Sequence, residues 1–387
     1  MIPYGRQCID DSDVAAVEAV LRSDFLTQGP AVGRFEEEVS TYCGGAHAVA
    51  MNSATSALHV ACLALGLGPG DLLWTVPNTF VASANCARYC GADVDFVDID
   101  PATHNMNMEA LAAKLDQARR SGRLPKVVVP VHFAGQPCDL GAIEELSKQY
   151  GFRVIEDASH AIGAEYRGEK VGSGRYSDVT IFSFHPVKII TTGEGGMALT
   201  NDAKLAGRMR LLRTHGITRA ADEMVGTYLG EWYYEQIDLG YNYRMTDIQA
   251  ALGCSQLRRL GGFIQRRRQI VERYGALLAD LPIQLPIEAK NGKGGWHLYV
   301  ICLDRKAPVG RETLYREMRA NGIGVNVHYF PVHLQPYYRK LGFSEGNFPV
   351  AESYGQRCLS LPIHPGLTDE QQDKIIGTLR RVLSQNG

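Results

Sequence analysis

The sequence predicts an α/β fold, with a large domain built on a mainly parallel, mixed sheet and a smaller α+β domain after it. Three observations carry this. Short apolar, β-branched stretches alternate with amphipathic helical ones over the first half of the chain. At 387 residues there is room for one large domain and a smaller one. Beyond DIQAALGCSQLRRL the alternation gives way to a long basic helical stretch, which puts the boundary near residue 255 and the domains at 1–255 and 256–387.

In chain order, the first helix carries Val14, Val17, Val20 and Leu21 and is entered through Asp and Ser capping candidates. After the turn-rich LTQGPAVG, a second helix runs from about Arg34 to Tyr42, and Gly44-Gly45 leads to the short strand AVAM. NSATSALHVACLALGLG reads as a loop opening directly into a helix. The alternation follows: strand DLLWTVP, helix TFVASANCARYCG, strand DVDFVDID, helix MEALAAKLDQARR, strand KVVVPVHF, helix LGAIEELSKQYG and strand FRVIED. VTIFSF and GGMALT lie close together, so part of the sheet is expected to be antiparallel. One long helix is expected from about Thr246 to Leu281, with Arg258, Arg259, Arg266, Arg267 and Arg268 on a solvated face or domain connector. HLYVICL, the helix around TLYREMRANG, GVNVHYF and a final helix from Asp369 make up the smaller domain.

With 45% hydrophobic and 21% charged residues, the composition is that of an ordinary soluble globular protein. A net charge of -2 gives no general attraction to nucleic acid or an anionic membrane, so a bound anion needs a local site. No apolar run reaches the roughly 18 to 20 residues of a membrane span, and the start, MIPYGRQCIDDSD, lacks the pattern of a signal peptide. The nine cysteines are scattered without a C-x-x-C pair, which reads as reduced thiols in a cytoplasmic protein, with no metal centre expected.

Three features carry chemistry. Lys188, in VTIFSFHPVKIITTGEGG, is flanked by apolar residues. Burying an ammonium is costly, and a Schiff base to an aldehyde removes that cost and makes the lysine a nucleophilic catalyst; a lysine snorkelling from a strand end is the alternative. Asp157 ends the strand FRVIED, where open α/β sheets bind their ligands, and a carboxylate there suits a pyridine nitrogen as well as it suits a turn. In NSATSAL, Ala54, Thr55 and Ser56 sit where a loop enters a helix, which makes either an ordinary N-cap or an anion site for a phosphate. There is neither a P-loop nor a strand-linked G-x-G-x-x-G.

These motifs, with IPYGRQCID, FLTQGPAVGRFE, PNTFVASANC, DIDPATHNMN, PVHFAGQPCD, VIEDASHAIGAEY, GYNYRMTDIQAALG and NVHYFPVH, span nearly the whole chain in fixed order. In them the sequence resembles the sugar-nucleotide aminotransferases of the DegT/DnrJ/EryC1/StrS family. The resemblance implies an aspartate-aminotransferase-type fold (fold type I of the pyridoxal-phosphate enzymes) and a homodimer with active sites at the subunit interface. It implies pyridoxal 5'-phosphate on Lys188, which then shuttles a proton, with Asp157 at the pyridine nitrogen and Phe80 stacked on the ring. His160, where many members have Gln, is placed beside the phenolic oxygen. Ser183 and the Ala54-Thr55 backbone are placed at the phosphate, with Asn242 reaching in from the partner subunit; Arg244 either assists or forms a structural ion pair.

The ASH, SFHPVK and VHYFPVH forms most resemble the pseudaminic-acid branch. That branch implies L-glutamate as amino donor and a UDP-linked 4-keto-6-deoxy-N-acetyl sugar as acceptor, UDP-2-acetamido-2,6-dideoxy-β-L-arabino-hex-4-ulose, aminated at C4. Its product leads to a nonulosonate that decorates flagella and surface glycans. The implied substrate contacts fall on Tyr4, on Asp24, Phe25, Leu26 and Thr27, and on Val327, His328, Tyr329 and Phe330, beside Ala54, Ser183 and Asn242. An acidic Asp24 would repel a diphosphate, so its contact is expected through backbone or to sugar hydroxyls.

Overall fold

The computed structural model describes residues 1–384. Its centre is a seven-stranded sheet. In spatial order the strands are His47–Met51, Gly196–Thr200, Val179–Ser183, Arg153–Asp157, Val127–Val128, Leu72–Thr75 and Asp93–Phe96. Gly196–Thr200 runs antiparallel to both neighbours, and the other pairings are parallel, so the sheet is mixed and mainly parallel as expected. Val127, Val128, Ile155, Val179 and Ile181 are completely buried, because helices cover both faces of such a sheet.

The loops at the carboxyl ends of the parallel strands carry the small and polar residues of the site. Register brings them together: Met51 and Ser183 both pair with Gly196, and Asp157 pairs with Ile181 two residues before Ser183. A helix follows the first of these strands immediately, Ala54–Ala64, and Ser53 caps it by accepting the Ser56 N–H at 3.1 Å.

A second, three-stranded antiparallel sheet consists of Ile283–Gln284, Tyr299–Leu303 and Cys358–Leu361. The helices Leu260–Leu278, Arg311–Ala320 and Asp369–Leu383 share one apolar core with it. Ile2 belongs to that core, and the first residues are tied there by the Gly324 N–H to the Ile2 carbonyl at 2.7 Å and the Ile363 N–H to the Tyr4 carbonyl at 3.0 Å.

The structure departs from the sequence reading in four places. The long helix is two, Asp247–Arg258 and Leu260–Leu278, meeting at Arg259. The Arg259 guanidinium is drawn off the helix to Asp10 and Asp13, and Gly261-Gly262 follow in the next turn, which favours a break. Arg267 is not on a solvated face but buried, its Nη1 donating to the carbonyls of Trp296, His297 and Ile363 at 3.1, 3.2 and 3.1 Å. KVVVPVHF pairs as a strand only at Val127–Val128, since Pro130 has no N–H to give the ladder. In the first helix, Asp11–Leu21, the apolar Val14 and Leu21 face outward, while Asp13 is buried against Arg259 and Gln256.

Helix Asp247–Arg258 lies so close to helix Pro30–Cys43 that a Cβ at Gly253 would meet the Phe35 ring at 2.6 Å. Gly253→Ala is therefore expected to destabilise the protein by about 1–3 kcal/mol, opposite in sign to the gain of such a change on an exposed helix face. Urea unfolding followed by circular dichroism measures this; a variant as stable as the parent would refute the tight contact.

Candidate active site

The carboxyl ends of the strands open into a cavity of about 540 Å³. One wall is the loop between Val179–Ser183 and Gly196–Thr200. It is closed by the Phe184 N–H on the Gly195 carbonyl at 2.9 Å and the Thr192 N–H on the Phe184 carbonyl at 3.0 Å. Lys188 sits on it, half-buried. Burial lowers its amine from the ordinary range to about 8, with Asp157 opposing the shift. At neutral pH roughly one amine in ten is then already free of its proton, against fewer than one in a thousand for an exposed lysine.

Asp157 lies across the cavity, buried at the end of its strand. Ser83 donates to its Oδ2 at 2.6 Å and the Ser159 N–H to its Oδ1 at 3.1 Å. Thr79 and Ser83 share a further hydrogen bond at 2.8 Å. Sequence reading passed over Thr79 and Ser83. Their signal was the i, i+4 spacing of two hydroxyls inside PNTFVASANC, which a helix-entry pattern masks. Phe80, between them, is 60% exposed and presents an uncovered ring to the cavity.

The third wall is the N-terminus of helix Ala54–Ala64. The N–H groups of Ala54 and Thr55 have no carbonyl in their own turn to bond, and both residues line the cavity with Ser183. The backbone comes this close only because residue 196 is glycine. A Cβ there would lie 2.3 Å from the Ala54 nitrogen.

The last wall comes from the start of the chain and a late loop, which pack on the large core beside the second one. Tyr4 and Val327, His328, Tyr329 and Phe330 all line the cavity, so the beginning of the chain and the late loop do meet. The Tyr4 and His328 rings are 5.6 Å apart. His328 is held by Ser360 at 2.7 Å from Nδ1, and Tyr354 donates to its carbonyl at 2.9 Å. His160 stands behind Lys188, its Nε2 3.3 Å from the Tyr329 hydroxyl and its Nδ1 buried without a protein partner. Burial, reinforced by the nearby Lys188, keeps His160 far below the usual imidazole range and pushes His328 down to about 3. Both rings are neutral at physiological pH.

Some expected residues lie elsewhere. Asp24, Phe25, Leu26 and Thr27 form an exposed loop outside the cavity, anchored by the Asp247 N–H on the Leu26 carbonyl at 3.0 Å. Asn242 is exposed as well and bridges to Thr214. Arg244 bridges to Met51, next to the helix entry, rather than lining the cavity. Unforeseen lining residues are His185, Glu194, His297 and Gln335. Lys188 is the one Lys or Arg side chain among the described residues that lines the cavity.

A family model described as the DegT/DnrJ/EryC1/StrS aminotransferase family matches residues 7–380. The chain belongs to this family. It is 40% identical over 386 residues to the spore coat polysaccharide biosynthesis protein SpsC of Bacillus subtilis, covering 99% of this chain and 97% of SpsC. Among solved structures it is similar to Helicobacter pylori PseC, an aminotransferase involved in the biosynthesis of pseudoaminic acid, with a TM-score of 0.91 and 31% identity over 99% of each chain. It is also similar to the putative sugar aminotransferase Spr1654 of Streptococcus pneumoniae in its PMP form, with a TM-score of 0.90 and 31% identity over 99% of each chain. The protein is thus an aminotransferase with the aspartate-aminotransferase type of fold, and the mixed sheet and its carboxyl-end cavity are the parts of that fold that build the site.

Gly196→Ala is expected to push the Ala54 backbone out of the cavity wall. It should lower aminotransferase activity at least about 10-fold, with about 1–3 kcal/mol of overpacking cost. Steady-state rates and thermal melts of the two proteins measure this, and an alanine variant of parental activity would show that the cradle does not matter.

Proposed function

We propose that this aminotransferase uses pyridoxal 5'-phosphate to move the amino group of L-glutamate onto C4 of a UDP-linked 4-keto-6-deoxy-N-acetyl sugar. The observation that carries the cofactor assignment is the convergence of Lys188, Asp157 and the unbonded Ala54-Thr55 N–H groups on one cavity. The residues fit the group. The helix terminus and Ser183 suit a phosphate, the Asp157 carboxylate suits a ring nitrogen, Phe80 offers a stacking face, and the unpartnered His160 Nδ1 suits a ring oxygen. When bound, the cofactor supplies an electron sink and a temporary store for the amino nitrogen.

The chain's own residues do the rest. Lys188 Nζ, more readily freed of its proton than an exposed lysine, would hold the aldehyde and, once released, move a proton to and from the substrate carbon. Asp157, fixed by Ser83 and the Ser159 N–H, would face the ring nitrogen. The neutral His160, His328 and Tyr329 exclude water from the same wall. The balance of the reaction is L-glutamate and keto sugar to 2-oxoglutarate and amino sugar.

The choice of sugar rests on the pseudaminic-branch forms ASH, SFHPVK and VHYFPVH, on the aromatic and imidazole wall of Tyr4 and His328–Phe330, and on the likeness to PseC. The charge of the cavity supports a homodimer. A UDP sugar brings a diphosphate, yet one chain lines the cavity with Lys188, Asp157 and Glu194, which leaves no cation to spare. Asp24–Thr27 and Asn242 lie outside their own cavity, and Phe25, Trp232 and Leu239 are exposed, Trp232 by 72%. A second copy that covers these residues and lends Asn242 and neighbouring cations accounts for both facts. The nine unpaired cysteines fit a cytoplasmic setting. Among the described residues no helix is long and apolar enough to cross a membrane.

Three measurements test this reading. Purified protein should show the visible absorbance of bound pyridoxal phosphate, and Lys188→Ala should abolish it together with turnover; a wild-type protein that takes up no pyridoxal phosphate would refute the assignment. The rate at which apoenzyme takes up the cofactor should rise with pH through about 8 and level off above it, because only the unprotonated amine attacks. A midpoint near the ordinary lysine value of about 10.4 would contradict the buried amine. Incubation with glutamate and a panel of UDP- and dTDP-keto sugars, with products read by mass spectrometry and NMR, should favour the UDP-β-L-arabino-hex-4-ulose; best turnover of a dTDP sugar would refute the substrate.

A further inference from the structure

His297, read in the sequence only as the first residue of the stretch HLYVICL, lines the cavity while only 4% exposed. Its ring lies 4.5 Å from that of His160, tilted by 49°, and its Nδ1 is buried without a protein partner. The way the chain reaches this position is unusual. Gly294 and Gly295 lead into Trp296, a buried residue at φ +53°, in the left-handed region that an indole residue rarely adopts. The segment is pinned from both sides. On one, the Gly295 N–H donates to the Gly135 carbonyl at 2.9 Å, and Gly135 itself is so close that a Cβ would lie 2.9 Å from the Trp296 nitrogen and 2.7 Å from the His160 carbonyl. On the other, Arg267 spends its Nη1 on the carbonyls of Trp296, His297 and Ile363.

Arg267 is a cation in the wrong place by ordinary rules. It is buried, and among the described residues no carboxylate forms an ion pair with it. A buried unpaired guanidinium and a strained tryptophan are both costly, and such features persist where the surroundings over-determine them for function. Their joint product is the fixed position of one side chain in the cavity, His297.

We propose that His297, braced by Arg267, is a positioning residue of the transamination site that holds the His160 ring in place against the bound cofactor. This rests on the reading that the cavity holds pyridoxal phosphate. Tyr329 holds His160 at Nε2 and His297 covers its face, so the unpartnered Nδ1 is the atom left to meet the cofactor. The titratable and charged groups around the pair are Lys188, Asp157, His328, Tyr329 and Arg267. Burial first, then the neighbouring His160 and the cations Lys188 and Arg267, keep His297 neutral as well, so the wall behind Lys188 is buried and uncharged. Loosening it admits water, which favours protonated forms next to it.

The test uses the intact holoenzyme and compares His297→Gln, His297→Phe and Arg267→Lys with the parent. Each folded variant is titrated with pH while the absorbance of its bound pyridoxal phosphate is followed, and its single-turnover rate with glutamate is measured. His297→Gln removes the ring and should move the spectral midpoint upward by about half a unit or more, with an about 10-fold slower glutamate reaction. His297→Phe restores a ring against His160 and should bring the midpoint back toward the parent. Arg267→Lys, which loses the fork over the three carbonyls, should shift the midpoint in the same direction as His297→Gln and provides an independent route should that variant not fold. A folded His297→Gln or Arg267→Lys protein that titrates and reacts as the parent does overturns the proposal. Absence of the cofactor spectrum from the parent protein would instead overturn the reading of the cavity itself.

Discussion

The site depends on one close approach of backbone to backbone. The strand Gly196–Thr200, antiparallel to both neighbours, begins against the first turn of helix Ala54–Ala64. Because Gly196 has no side chain, the Ser53–Ala54 backbone packs against it, and register with Met51 on one side and Ser183 on the other fixes three loops relative to one another. The unbonded N–H groups of the helix, the Ser183 hydroxyl and the Lys188 loop then face one space. The phosphate-facing helix end, Ser183 and the Lys188 loop depend on that contact, and the contact in turn needs the sheet to be in register.

Electrostatics follow from the walls this creates. The cavity combines one lysine with two carboxylates and four imidazoles, and burial keeps those of His160, His297 and His328 uncharged. Burial lowers the lysine amine to about 8, while two donors fix the Asp157 carboxyl in place. The two groups thus sit on opposite sides of one cavity, an arrangement suited to chemistry that needs a nucleophilic amine and a fixed carboxyl group together. The same scarcity of cations leaves an anionic nucleotide unsatisfied by a single chain, which ties the proposed substrate to the proposed dimer.

Much of this was legible along the chain. The parallel strands read clearly because both of their faces are buried, so VVV, VIED and VTIFS are buried at successive positions and rich in β-branched residues, without an exposed polar face. Lys188, Asp157 and Ala54-Thr55 were visible as odd residues at strand or helix ends. The long Thr246–Leu281 helix misled because helical periodicity persists across Arg259, where the pull of Asp10 and Asp13, nearly 250 positions away, joins the local Gly261-Gly262 in breaking it. Arg267 misled for a related reason: among five arginines on one basic stretch, nothing local distinguishes the one that turns inward to three carbonyls.

The sequence by itself determined the mixed α/β architecture, the family motifs and the identity of the reactive groups, because these depend on local periodicity and on residue chemistry. Tertiary structure alone decided which groups share a cavity. It joined Tyr4 to His328 through the pairing of the first residues with the second core, supported Asp157 with Ser83, and carried His297 to the back of His160. Asp24–Thr27 and Asn242 it set outside. These placements arise from contacts between segments far apart in the chain, whose energies depend on register and packing and leave no periodic trace in either segment alone.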